Sequence, residues 1–129
     1  FKKCNVVTIN RGESDIAALR KTCDTLKEGK SIAIYPQGTR IPCSSPDPET
    51  ARAGMGLMAT RTKATLLPIT ICYGKKHLKP TFFSKVHVYI GKPITFEEYS
   101  TINERPNSQE IASYAFSKLC EDFAEHNHG

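Results

Sequence analysis

The sequence predicts an α/β fold built on a mostly parallel sheet flanked by helices. Three observations predict it. Short apolar runs rich in β-branched residues recur along the chain, helical patterns separate the first three of them, and Gly and Pro punctuate the boundaries. Strand–helix–strand–helix–strand order implies right-handed crossovers, and therefore parallel neighbours.

Residues 4–9 (CNVVTI) read as a short buried strand. Ser14 is placed to cap a helix from Asp15 to about Glu28, whose apolar positions Ile16, Leu19, Cys23 and Leu26 share one face. Gly29 ends that helix. Ser31 to Tyr35 (SIAIY) is a second strand, apolar enough to be buried on both faces, and Pro36 stops it. Residues 41–50, with three prolines and no periodicity, read as a surface loop. A helix follows from about Arg52 to Arg61. Residues 65–72 (TLLPITIC) form a third strand, interrupted by Pro68, and residues 73–84 a basic loop with Lys75, Lys76, His77 and Lys79. Val86 to Ile90 is a fourth strand, and Ser108 begins a last helix to about Ala124, with Ile111, Ala115 and Leu119 on its apolar face.

A length of 129 residues, with 39% hydrophobic and 24% charged, suits a single domain over residues 1–129. No apolar run approaches the ~18 residues of a membrane span. Eighteen basic residues against thirteen acidic give a net charge of +5. The excess suits phosphate esters, acidic lipid surfaces, coenzyme A or nucleic acid, or simply a solvated basic surface. No stacking-aromatic pattern supports nucleic acid as a partner. The five cysteines, Cys4, Cys23, Cys43, Cys72 and Cys120, form no C-x-x-C pair, so neither a metal site nor a disulfide framework is expected.

The chemistry concentrates at two points. Arg11 follows the first strand, and Gln37, Gly38, Thr39 and Arg40 follow the second. One crossover helix separates them, and ligands of parallel sheets bind at the carboxyl ends of strands. Gly38 permits close approach or positive φ, and Thr39 offers a hydroxyl. Arg11 and Arg40 offer planar cationic forks that match phosphate oxygens. The pattern points to a phosphate receptor, against the plainer reading of two ordinary loops.

Tyr35-Pro36-Gln37-Gly38-Thr39-Arg40 resembles the Phe-Pro-Glu-Gly-Thr-Arg motif of the glycerolipid (lysophosphatidic acid) acyltransferases. Ile9-Asn10-Arg11, Arg52-Ala53-Gly54-Met55-Gly56, Leu66-Leu67-Pro68-Ile69-Thr70-Ile71 and Val88-Tyr89-Ile90-Gly91-Lys92-Pro93-Ile94 resemble further family blocks, in the family's order. The resemblance implies an acyltransferase of phospholipid biosynthesis. Its donor would be acyl-CoA or acyl carrier protein, and its acceptor lysophosphatidic acid or glycerol 3-phosphate. It also implies a cytoplasmic-side membrane surface as partner and no metal or organic cofactor. The substrate-binding residues it implies are Arg11, Gln37, Gly38, Thr39, Arg40, Arg52 and Pro68. Another lysolipid acceptor, or a non-catalytic phosphate- or lipid-binding module, stays open.

The sequence departs from the family twice. The family's base is a histidine in a His-x4-Asp motif. Here Phe82 stands five residues after His77 and Lys92 five after His87, while His126 and His128 lie at the tail. The resemblance therefore implies an N-terminally truncated chain, with the catalytic motif and any membrane anchor upstream of Phe1, and no turnover by this chain alone. Gln37 stands where the family has glutamate, which removes a negative charge beside the arginines.

Overall fold

The computed structural model describes residues 16–38, 45–73 and 85–126. The chain falls into two units, residues 1–34 and 35–129. In the first, helix α1 spans Ile16–Lys27 and buries Ala18, Thr22 and Cys23. Hydrogen bonds from Gly29 N–H to Leu26 and from Lys30 N–H to Thr25 close its end as a Schellman motif, with Gly29 at φ 77°. The helix and its glycine stop are where the sequence placed them, but of the predicted apolar face only Cys23 is buried, Leu19 and Leu26 are half-buried, and Ile16 is 57% exposed. The Ser14 cap and the strand at 4–9 lie outside the described residues.

Ser31–Tyr35 is not a strand. It joins no ladder among the described residues, and Ile34 and Tyr35 are exposed, Tyr35 by 82%. An apolar run becomes a buried strand only where neighbours satisfy its backbone on both sides.

The second unit holds the main core. A 3₁₀ turn at Pro48–Thr50 precedes helix α2 (Ala53–Thr62), strands β1 (Ile69–Tyr73) and β2 (Val86–Ile90), a short helix α3 (Phe96–Ser100) and helix α4 (Ser108–His126). Of the predicted surface loop at 41–50, the described residues 45–50 thus include a capped turn, and 41–44 lie outside the described residues. Asp47 caps the 3₁₀ turn by accepting from Glu49 N–H at 3.0 Å, with Pro48 at its start. Asn107 caps α4. Its side chain accepts from the N–H groups of Gln109 and Glu110, and Glu110 Oε2 accepts from Asn107 N–H at 2.7 Å. The bond from Asn107 N–H, with the Asn103 side chain adding, holds the Glu110 carboxyl below its usual range.

The sheet corrects the parallel expectation. Among the described residues it has two strands, and they are antiparallel, with Ile69 opposite Ile90 and Tyr73 opposite Val86. The connection between them is at the ~12-residue lower limit for a crossover, and antiparallel pairing needs none. The register shifts at Pro68. Ile69 pairs with Ile90 but Leu66 with Ile94, so Leu67 and Pro68 face the three residues 91–93 in a bulge. Proline has no N–H for the ladder, while its carbonyl accepts from Gly91 N–H at 2.9 Å.

One sheet face packs on α4. Thr70 and Cys72 are buried there, and Tyr89 stacks on His126 at 3.8 Å between ring centroids. Ile69, Ile71, Val86, Val88 and Ile90 point the other way and are 42–69% exposed. The core lies between α2, α3 and α4, around Met55, Ala59, Ile94, Tyr99, Ile111, Ala112 and Phe116. No helix among the described residues is long and apolar enough to cross a membrane.

Candidate functional site

Three of the sequence-predicted site residues come together at the start of α2. Residues 35–38 form a turn closed by Gly38 N–H donating to Tyr35 carbonyl at 3.0 Å. Pro36 pre-sets the backbone of its second position. Gly38 sits at φ 65°, where a side chain would cost about 1–2 kcal/mol.

Two bonds fasten the turn. Arg52 N–H donates to Pro36 carbonyl at 2.8 Å. Gln37 Nε2 donates to Thr50 Oγ1 at 3.0 Å, and Thr50 Oγ1 donates to Asp47 carbonyl at 2.6 Å. The platform beneath is tied to α4 in turn, because Gln109 Nε2 donates to Ala51 carbonyl at 2.9 Å and Ala51 is buried. Turn, 3₁₀ turn and α2 are therefore hydrogen-bonded to one another and to α4.

Arg52 is the N-cap of α2, and its side chain makes no cap bond and, among the described residues, no ion pair. It runs past Gly38, with its Cγ 3.6 Å from where a Cβ on Gly38 would sit. The first N–H groups of α2, at Ala53 and Gly54, precede the helical ladder and carry the positive end of its dipole. Gly54 is exposed, with nothing within 4 Å of where its Cβ would be. A cation and a positive-φ glycine thus meet at the start of α2.

Pro68 takes a different place. It is buried at the bulge and bonded to Gly91, so its visible task is to set where β1 begins. Arg11, Thr39, Arg40, His77 and the three loop lysines lie outside the described residues. His87 is exposed on β2 beside Tyr89, as its strand position suggested. Sequence reading missed Asp47, Thr50 and Gln109. The signal for the first was present, since Asp-Pro opens helical turns. Gln109 carried none, because its partner is a distant backbone carbonyl.

Cys72 and Cys120 offer no nucleophile. Burial raises the Cys72 thiol, and burial, with Asp47 and Glu121 adding, pushes Cys120 to about 11. Both stay protonated at neutral pH, and only the thiolate attacks. No group of His, Cys, Asp and Glu among the described residues is arranged to hold a metal.

The family model "Acyltransferase" matches residues 1–72. The chain belongs to the acyltransferase family. Membership agrees with the glycerolipid acyltransferase resemblance of the motif blocks, and it makes acyl transfer the reaction class and an acyl donor with a lipid acceptor the partner classes. The match includes Arg11, the 35–38 turn, the 3₁₀ turn, α2 and Pro68, while β2, α3 and α4 lie beyond it. No curated protein and no solved structure matches the chain.

Proposed function

We propose that this chain supplies the acceptor-phosphate site of an acyltransferase of phospholipid biosynthesis. The acceptor is 1-acyl-glycerol 3-phosphate or glycerol 3-phosphate, and the donor is acyl-CoA or acyl carrier protein. One observation carries the reading: Gly38, Arg52 and the start of α2 converge inside the segment that matches the family. Helix N-termini bind phosphate through free N–H groups and dipole, and an arginine fork adds charge-assisted bonds. Arg11, Thr39 and Arg40 join this site by resemblance. Gln37 acts by holding the turn, and Pro68 by fixing the strand that follows α2. The net charge of +5 suits a peripheral position on the cytoplasmic face of an anionic membrane.

The reaction needs a base to take the proton from the attacking hydroxyl. No histidine here stands in the family's His-x4-Asp pattern. The 129-residue chain is therefore expected to bind phosphate esters without consuming acyl-thioester. A thioester-cleavage assay with glycerol 3-phosphate checks this, and turnover above the uncatalysed rate refutes it.

Titration with glycerol 3-phosphate, followed by amide resonances, tests the site itself. Shifts are expected at Gly38, Arg52, Ala53 and Gly54. Arg52→Ala removes a charged partner worth about 1.5–3 kcal/mol, so affinity should fall roughly 10- to 100-fold. Arg52→Lys keeps the charge but loses the fork, and should fall between. Unchanged affinity in Arg52→Ala would remove Arg52 from the site.

A further inference from the structure

The bond between Gln37 and Thr50 has a direction that constrains what position 37 can be. A threonine hydroxyl has one proton to give. Thr50 gives it to Asp47 carbonyl at 2.6 Å. Only lone pairs remain on Thr50 Oγ1, so its partner at 3.0 Å has to be a donor. The Gln37 amide is one. An ionised glutamate is an acceptor alone and would set a carboxylate oxygen against a lone pair. The residue that departs from the family motif is thus matched to Thr50.

The other end of the same short stretch makes the match matter. Thr50 lies two residues before Arg52, whose N–H holds Pro36 carbonyl at 2.8 Å. The side-chain bond at 37 and the backbone bond at 36 therefore fix adjacent residues of the turn to one rigid segment. Neither Gln37 nor Thr50 is fully buried. Losing their bond should loosen the turn without unfolding the core.

We infer that Gln37 and Thr50 form a positioning pair, which holds Gly38 beside Arg52 so that the anion meets both. This rests on the phosphate-site reading given above. In this arrangement the side chain of residue 37 faces the 3₁₀ turn. The anion site receives no carboxylate from position 37 and keeps the full charge of Arg52.

The test uses the 129-residue chain, inorganic phosphate as probe, and three variants: Thr50→Val, Thr50→Ser and Gln37→Glu. Two quantities are read, the phosphate affinity and the hydrogen-exchange rate of the Arg52 amide. Valine matches threonine in shape but lacks the hydroxyl. Thr50→Val and Gln37→Glu should speed Arg52 exchange and weaken phosphate binding by about 5- to 10-fold each. Thr50→Ser should restore both, while the thermal midpoints of all three stay close to the parent. Parent-like exchange and affinity in Thr50→Val overturn the pair, as does a Thr50→Ser variant that behaves like valine. If the parent binds no phosphate yet Thr50→Val still speeds exchange, the clamp stands and the phosphate reading falls. If phosphate binds and exchange does not respond, the reverse holds.

Discussion

Gly56→Ala should destabilise the chain by about 2 kcal/mol or more, although alanine is the better helix former. Gly56 lies on the buried face of α2, where α4 begins. A Cβ there would sit 1.9 Å from Ser108 carbonyl oxygen and 2.8 Å from its carbonyl carbon. Both obstacles are backbone, so no rotamer change relieves them. The capping box at Asn107 and Glu110 locks the same turn from outside. Opening the gap needs the helices to part by more than ~1 Å along a close-packed seam, which costs more than the ~1 kcal/mol alanine gains in helix propensity.

Gly54→Ala supplies the control. It is on the same helix, and nothing lies within 4 Å of its added Cβ. Gly54→Ala should be neutral or slightly stabilising, while Gly56→Ala lowers the thermal midpoint by roughly 8 °C. Equal midpoints for the two would mean that α2 and α4 do not approach as described. The damage should also reach the proposed anion site, because Gln109 ties Ala51 to α4 one residue before Arg52. Phosphate affinity is then expected to drop in Gly56→Ala without any change to a binding residue.

The glycine seam shows where sequence reading reaches and where it stops. The approximate extents of α1, α2 and α4 follow from residue patterns that act within a few positions of each other. Gly29 ends α1 by its own backbone preference, which is written in its type. Gly56 looks in sequence like one small residue among several, and only the approach of Ser108 gives it a task. Helix α3 is five residues long, too short for a 3.6-residue period to register, although Thr95 caps it by accepting from Glu98 N–H. The sheet failed for a different reason. The parallel expectation rested on helices between the first three apolar runs; of these, residues 4–9 lie outside the described residues, Ser31–Tyr35 joins no ladder among them, and β1 pairs with the next run instead, with no helical pattern between the two. At the site, the residue types of the turn suggest an anion ligand from sequence alone, because glycine and arginine carry their chemistry locally. The bond from Gln37 to Thr50 spans thirteen positions and depends on a proton already committed to Asp47, which no local pattern encodes.

Tyr99→Phe should cost about 1–3 kcal/mol at neutral pH, and that cost should shrink in alkali. Tyr99 is fully buried, and its hydroxyl lies 3.0 Å from the carbonyls of both Ala59 and Ala64. Those carbonyls flank the end of α2, where Lys63 takes a left-handed φ of 54°. The phenol therefore satisfies the helix terminus and ties α3 to it, while its ring meets Phe96 edge-on at 5.6 Å. Phenylalanine keeps the ring and leaves both carbonyls without that donor. Tyr99→Ala adds a cavity and should cost roughly 3–5 kcal/mol. The pH dependence isolates the hydroxyl. Burial, with Glu97 adding, raises the Tyr99 phenol above its ordinary 10.0. Between the unfolded and folded values the folded chain holds the proton more tightly, so stability falls as pH rises through that window. Below pH 10 the full contribution of the hydroxyl is present. Above the raised value the phenolate has no proton to donate and faces two carbonyl oxygens. Urea unfolding of both proteins at pH 7 and near pH 11 measures the difference, and the other titrating groups cancel between them. A parent–phenylalanine difference equal at the two pH values would show that the hydroxyl does not hold the end of α2.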